Sequence, residues 1–240
     1  MPAGGRMGIW MHRRRQLANV CIYTAIAGGY DNLNPTVHQT IPCDWLAFLE
    51  DEPANTCGWQ VVPLQVEQEH PRMRAKWPKL CPHLVPELVG YWYTIWIDGS
   101  VQVTSPRFAE DMVSFLNSNG WAMFAHPRRD CLYDELEAHF DEQGPKYEGL
   151  PLRQQVAFYR AAGYPEHNGL FQSTVIVREG DDEQVQRIGE SWWHECVNWS
   201  YADQLSHTPV MRHMGLWCDT IPGHVLRNQW FVVRGHNRND

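Results

Sequence analysis

Residues 91–100 read YWYTIWIDGS. Every residue of Tyr91–Ile97 is aromatic or β-branched, which makes this the strongest strand signal in the chain, and Asp98-Gly99-Ser100 ends it with turn chemistry. Upstream, Asn19–Ile26 (NVCIYTAI) is a second apolar, β-rich run, closed by Ala27-Gly28-Gly29-Tyr30-Asp31. Trp45–Leu49 and Trp59–Leu64 are further short strands, separated by the acidic, turn-rich Glu50–Gly58. Arg72–Leu84 is basic and reads as a helix that Pro78 and Pro82 would break or kink. Downstream, Pro106–Asn117 places Phe108, Met112, Phe115 and Leu116 on one side of a helix. Trp121–Ala125 and Ser173–Val177 read as strands. Leu132–Glu142, Leu152–Ala162 and Glu183–Trp199 read as helices, and residues 219–240 as irregular. Strands and helices alternate, which implies an α/β fold with a mainly parallel central sheet flanked by helices.

The chain has 240 residues, enough for one domain with a real core. The expected division is a flexible basic arm at 1–18, carrying Arg6, Arg13, Arg14 and Arg15, and a single domain at 19–240. The 20 basic and 28 acidic side chains leave a net charge of −8, which argues against general nucleic-acid binding. No apolar run approaches the ~18 residues of a membrane span. Met1–Gln16 lacks the apolar segment of a signal peptide, so a cytoplasmic location is expected. Seven cysteines without a CxxC pair read as free thiols in a reducing compartment. Twelve tryptophans are either packed in a core or offer flat faces to a sugar or a base.

Chemistry in such a fold gathers beyond the carboxyl ends of the strands. The Thr24–Asp31 loop has glycines that let backbone approach a ligand, with Tyr30 and Asp31 able to hold a base and a ribose. A Gly-Gly pair is more often a plain turn, and neither GxGxxG nor a GK[ST] phosphate loop is present. Asp98, ejected from an apolar strand, either binds a divalent cation that holds a diphosphate or caps a turn; local sequence supports both readings equally. Arg72, Arg74, Lys76 and Lys79 put four cations and no acid within ten residues. They form either a solvated helix face or a diphosphate clamp. Asp203-Gln204 offers a carboxylate and an amide for sugar hydroxyls, or a helix cap.

Eight segments occur in a recognisable order: VCIYTAIAGGYDNL (20–33), DWLAFLED (44–51), RAKWPKLCPH (74–83), IWIDGSVQV (95–103), AHPRRDCLYDELE (125–137), QQVAFYRAAGYP (154–165), GLFQSTVIVRE (169–179) and SWWHECVNWSYADQLS (191–206). Together they resemble the TOD/MUCI-type glycosyltransferase-like domain family. The resemblance implies a GT-A-like nucleotide-sugar-binding sandwich. The implied activity is transfer from a nucleotide-sugar donor to a hydroxyl acceptor, a glycan or another molecule. By likeness, Thr24, Ala25, Gly28, Tyr30 and Asp31 line the nucleotide pocket, and Arg74, Lys76 and Lys79 approach the diphosphate. Asp98 stands at the DxD-type acid that helps hold Mn2+ or Mg2+, with His224 or His236 as a further ligand. Asp203 and Gln204 resemble the pair that faces the donor sugar in glycogenin-like transferases. Glu135 joins them as a catalytic candidate, and His126 and Arg129 fall on the acceptor side. Asp98-Gly99-Ser100 lacks a second acid, so a metal-free route with Arg and Lys neutralising the leaving diphosphate stands beside the metal-assisted one. A non-catalytic glycan- or nucleotide-binding module is the alternative reading, with a metal-dependent hydrolase behind it. Trp45, Trp77, Trp96, Trp192 and Trp193 are expected in the core. For Trp217 and Trp230 a sugar-stacking or lid role is open.

Overall fold

The computed structural model describes residues 19–142 and 144–236; the expected basic arm lies outside the described residues. Its centre is a seven-stranded sheet in the order β3-β2-β1-β4-β7-β6-β8. The strands are β1 (Val20–Ile26), β2 (Cys43–Leu49), β3 (Gln60–Pro63), β4 (Tyr93–Ile97), β6 (Trp121–Ala125), β7 (Phe171–Glu179) and β8 (Asp219–Ile221). β3, β2, β1 and β4 run parallel, β6 and β8 are parallel to each other, and β7 alone is reversed against both of its neighbours. β5 (Val101–Val103) and β9 (Phe231–Val233) form a separate antiparallel ribbon. The expected α/β sandwich with a mainly parallel sheet is therefore observed.

The sheet is buried on both faces, and side-chain parity sorts the residues. Val20, Ile22 and Ile26 pack with Ile95, Ile97, Val175 and Val177 against α2 (Phe108–Ser114) and the β5–β9 ribbon. Cys21, Tyr23 and Ala25 pack with Trp96 and Ile176 on the other face, against α1 (Pro71–Leu80) and α5 (Glu183–Asn198). A third cluster joins α3 (Leu132–Glu142) to α4 (Leu152–Ala161) through Leu132, Leu136, Leu152 and Val156. Trp121 and Trp192 are fully buried. A ring of that size removes roughly 150–250 Å² from water, an upper bound of about 4–6 kcal/mol apiece.

Pro78 does not break α1. It sits in the last turn, and the Cys81 N–H closes the helix on the Trp77 carbonyl before a 3-10 turn begins at Pro82. The start is set by Pro71 in the first turn and by His70, whose Nδ1 accepts from the Arg72 N–H. One helix was not expected, α6 (Gln204–His213), which is buried from Leu205 to Met211. The irregular reading of 219–240 is corrected by β8 and β9, three-residue strands placed by their partners β6 and β5. Trp230 is buried and donates its Nε1–H to Asp111 Oδ2 at 2.9 Å, so it belongs to the core and not to a lid. Trp217 is exposed and does not line the cleft described below. Among the described residues, no helix is long and apolar enough to cross a membrane.

Candidate active site

The strand order changes direction between β1 and β4, and the crevice beyond their carboxyl ends is where such sheets bind ligands. A cleft of about 800 Å³ opens there, within the size range of small-molecule sites. The end of β1 and the loop after it contribute Ala25, Gly28, Tyr30 and Asp31, and the β4 loop contributes Asp98, Gly99 and Ser100. Asp203 and Gln204 enter from the start of α6, and His126, Arg129 and Glu135 form the far wall.

The floor is an ion network. Lys79 is almost fully buried; its Nζ donates to Asp98 Oδ1 and Ser173 Oγ, both at 3.1 Å, and lies 3.1 Å from Asp203 Oδ2. Lys76 Nζ reaches the same Asp203 oxygen at 2.7 Å, and Ser173 Oγ donates to it at 3.2 Å. Burial alone would lower the Lys79 pKa, but Asp203 and Asp98 more than reverse that and hold it above the usual lysine value. Burial would likewise raise Asp203, yet the two ammonium groups hold its carboxyl far below the ordinary aspartate range. Asp203 does not cap α6 with its side chain, because the carboxylate is committed to the lysines.

Helical spacing explains which cations arrive. Arg72, Lys76 and Lys79 follow at i, i+4 and i+7, one face of α1, and all three line the cleft. Arg74 is off that face. It pairs with Glu50, whose other oxygen accepts from the Gly28 N–H at 2.6 Å, and it donates to the Gln68 and Glu69 carbonyls. Arg74 therefore braces the glycine loop from behind, and Arg72 holds the cleft position expected of it. Thr24 shares parity with Val20, Ile22 and Ile26, so it faces the core on the side away from α1 and does not line the cleft. Gly28 has φ +66°, and a Cβ there would stand 2.9 Å from Pro71 Cβ, so glycine lets this loop meet the start of α1.

Several cleft residues come from segments that single motifs do not flag. The Arg72 guanidinium lies 4.9 Å from the Tyr30 ring and 5.5 Å from the Tyr201 ring, and it donates to Tyr30 Oη at 3.1 Å. Tyr201 stacks on His70 at 4.4 Å. Lys146 faces Arg72 and Lys76; its burial first, and those like charges second, push its pKa down to about 8. Asp203 and Asp98 pull the other way, but by less. On the far wall Glu135 is buried and held by Arg129 Nε at 2.5 Å, with His126 and His139 nitrogens 3.6 Å away. Burial raises the Glu135 pKa despite Arg129, and burial lowers His126 to about 4, leaving that imidazole neutral at pH 7.

Around Asp98 the expected divalent ion would compete with partners the protein already supplies. Asp98 Oδ1 already accepts from Lys79 and, at 2.8 Å, from Trp96 Nε1. His224 does not line the cleft, and its Nδ1 accepts from the Leu226 N–H at 3.1 Å. His236 does line it, and its Nδ1 is paired with Asp31 at 2.9 Å. Ser100 stands where a second acid would be needed, and a divalent ion beside the Lys79 ammonium would meet like charge.

Among solved structures, the apo form of the WbbM bifunctional glycosyltransferase is similar at a TM-score of 0.48 and 10% identity. The match covers 85% of this chain and 38% of that longer one. No curated protein matches. The family model for the TOD1/MUCI70 glycosyltransferase-like domain matches residues 47–222, from within β2 to just past β8, and so takes in α1, Asp98, Glu135 and Asp203. The chain belongs to the TOD1/MUCI70 glycosyltransferase-like domain family.

Proposed function

We propose that this protein moves a sugar from a nucleotide-sugar donor to a hydroxyl acceptor. The observation that carries the reading is the gathering of Arg72, Lys76, Lys79 and Lys146 around one cleft of a chain whose net charge is −8. Glycosyl transfer develops negative charge on the departing diphosphate, and preorganised cations aimed at that charge lower the barrier. Lys146, half-buried beside Arg72 and Lys76, is a further cation that an incoming phosphate oxygen would meet. Lys76 and Lys79 act from the floor, where Asp203 and Asp98 hold them in place before the donor arrives. Tyr30 and Tyr201, with Arg72 between them, offer faces for the base.

Asp203 stays ionised at any working pH and is therefore a poor proton acceptor. Its role is to place charge beside the donor sugar, with Gln204 next to it in the cleft. Glu135, held by Arg129, and His126, neutral at pH 7, form the wall on which an acceptor hydroxyl would be positioned. Divalent-metal assistance at Asp98, which the sequence resemblance implies, is the competing proposal for leaving-group stabilisation.

The test is a thermal-shift panel of nucleotide sugars, followed by turnover of the stabilising donor with and without chelator. Ligands that bind only the native state raise the melting temperature. One nucleotide-sugar class is expected to stabilise the protein with chelator present, and Asp203→Asn to reduce turnover at least ~100-fold, about 2.7 kcal/mol of barrier. Activity that vanishes with chelator and returns with Mn2+ or Mg2+ would favour the metal-assisted proposal. Binding without turnover would favour a binding module, and release of free sugar without any acceptor a hydrolase.

A further inference from the structure

Away from the cleft floor, the loop before α3 meets the loop after α4. Cys131 immediately precedes α3 and is buried. Asp134 lies in the first turn of that helix, and His167 stands across from it on the other loop. The thiol sulfur, a carboxylate oxygen of Asp134 and an imidazole nitrogen of His167 all lie within 4.8 Å of one another. Among the described residues, this is the one group of three such side chains that converges so closely.

The surroundings suit a metal ligand set. The Nδ1 of His167 lies 2.8 Å from Asp130 Oδ1. An imidazole that donates Nδ1–H to a carboxylate keeps its Nε2 lone pair for a metal, the outer-shell pattern of many histidine ligands. The two loops are distant in sequence, so a bound ion would close them against each other. A thiolate, an imidazole and a carboxylate together select a borderline-soft ion. Mg2+ and Ca2+ prefer all-oxygen shells, whereas Zn2+ accepts sulfur, nitrogen and oxygen in a tetrahedron whose fourth corner water can fill.

We propose that Cys131, Asp134 and His167 form a zinc site, with Asp130 orienting the histidine. Its place in the chain gives it a purpose. Arg129 is two residues before Cys131 and Glu135 directly follows Asp134, so an ion here would pin the base of the wall that carries both.

The experiment uses the full-length chain, stripped with chelator and titrated with zinc sulfate by calorimetry and thermal shift, then with Co2+ as a spectroscopic probe. Wild type is expected to bind one equivalent of zinc, to melt higher with it, and to show a thiolate-to-cobalt charge-transfer band. His167→Gln, on an exposed loop, should weaken zinc binding at least tenfold and lose the melting shift while keeping the wild-type melting temperature without metal. Cys131→Ser should lose the cobalt band. If Cys131→Ser does not fold, the His167→Gln comparison alone decides. Zinc binding unchanged in His167→Gln, or no binding at one equivalent in wild type, overturns the site. Neither result bears on glycosyl transfer, because the readouts are binding and stability.

Discussion

His207 lies inside the protein with neither ring nitrogen hydrogen-bonded. Trp192, Phe171 and Trp121 surround it, with ring centroids 4.6, 5.6 and 5.9 Å away. Burial, with Arg178 adding to it, holds its pKa at about 3, so the folded ring stays neutral where an unfolded histidine would charge. Two costs follow. Each orphaned polar group forfeits about 1–3 kcal/mol of solvation. Below pH ~6.5 the unfolded chain also takes up a proton that the folded chain refuses, so stability falls as the pH falls from there toward 3. His207→Phe keeps the ring and removes both costs. Urea unfolding should show it more stable than wild type by about 1 kcal/mol at pH 7, and by roughly 2 kcal/mol more at pH 5. A variant that is less stable at both pH values would show that the imidazole has a partner after all. At this scale the site was partly legible in the sequence. Lys76, Lys79, Asp98 and Asp203 stood out by type and place, and the i, i+4, i+7 arithmetic that selects Arg72 over Arg74 was readable too. Lys146, Ser173 and Tyr201 were not, because only the folded chain brings them within reach of residues so far away in sequence.

At the scale of elements, α1 is the part on which the site depends, and α5 fixes its height above the sheet. Gly189 of α5 is the contact: a Cβ there would stand 2.2 Å from the Leu80 carbonyl oxygen at the end of α1. In an exposed helix, glycine to alanine gains about 1 kcal/mol. Here the sign should reverse, since the helices must part to admit a methyl group. Gly189→Ala is expected to cost about 2 kcal/mol in denaturant unfolding and to weaken donor binding, as Lys79 sits one residue before Leu80. Unchanged stability would mean that the two helices slide freely. Strands β1, β4 and β6 were legible within two residues, since continuous apolar runs bounded by turns have few other readings. α6 was hidden because QLSHTPVMRH carries Pro209 and little periodicity, and its burial comes from tertiary packing. β9 was hidden because three residues pair with β5 from across the chain.

At the scale of the whole molecule, the middle of the sheet is completed out of order. β4 is buried on both faces, and the neighbour that covers its far edge is β7, the reversed strand. On the ribosome β1 to β4 emerge first, and Phe171–Glu179 follows only after α2, β6, α3 and α4 have been made. At about 5–20 residues per second, an apolar edge stands open for several seconds. Such an edge pairs readily with another chain. A fragment ending at residue 170 should therefore collect in the insoluble fraction or on chaperones, whereas one ending at residue 236 stays soluble; a soluble, monomeric 1–170 fragment by gel filtration would contradict this. The reversed strand thus makes the protein's yield in a cell depend on synthesis rate and chaperone supply, and slowing translation between β4 and β7 should lower it.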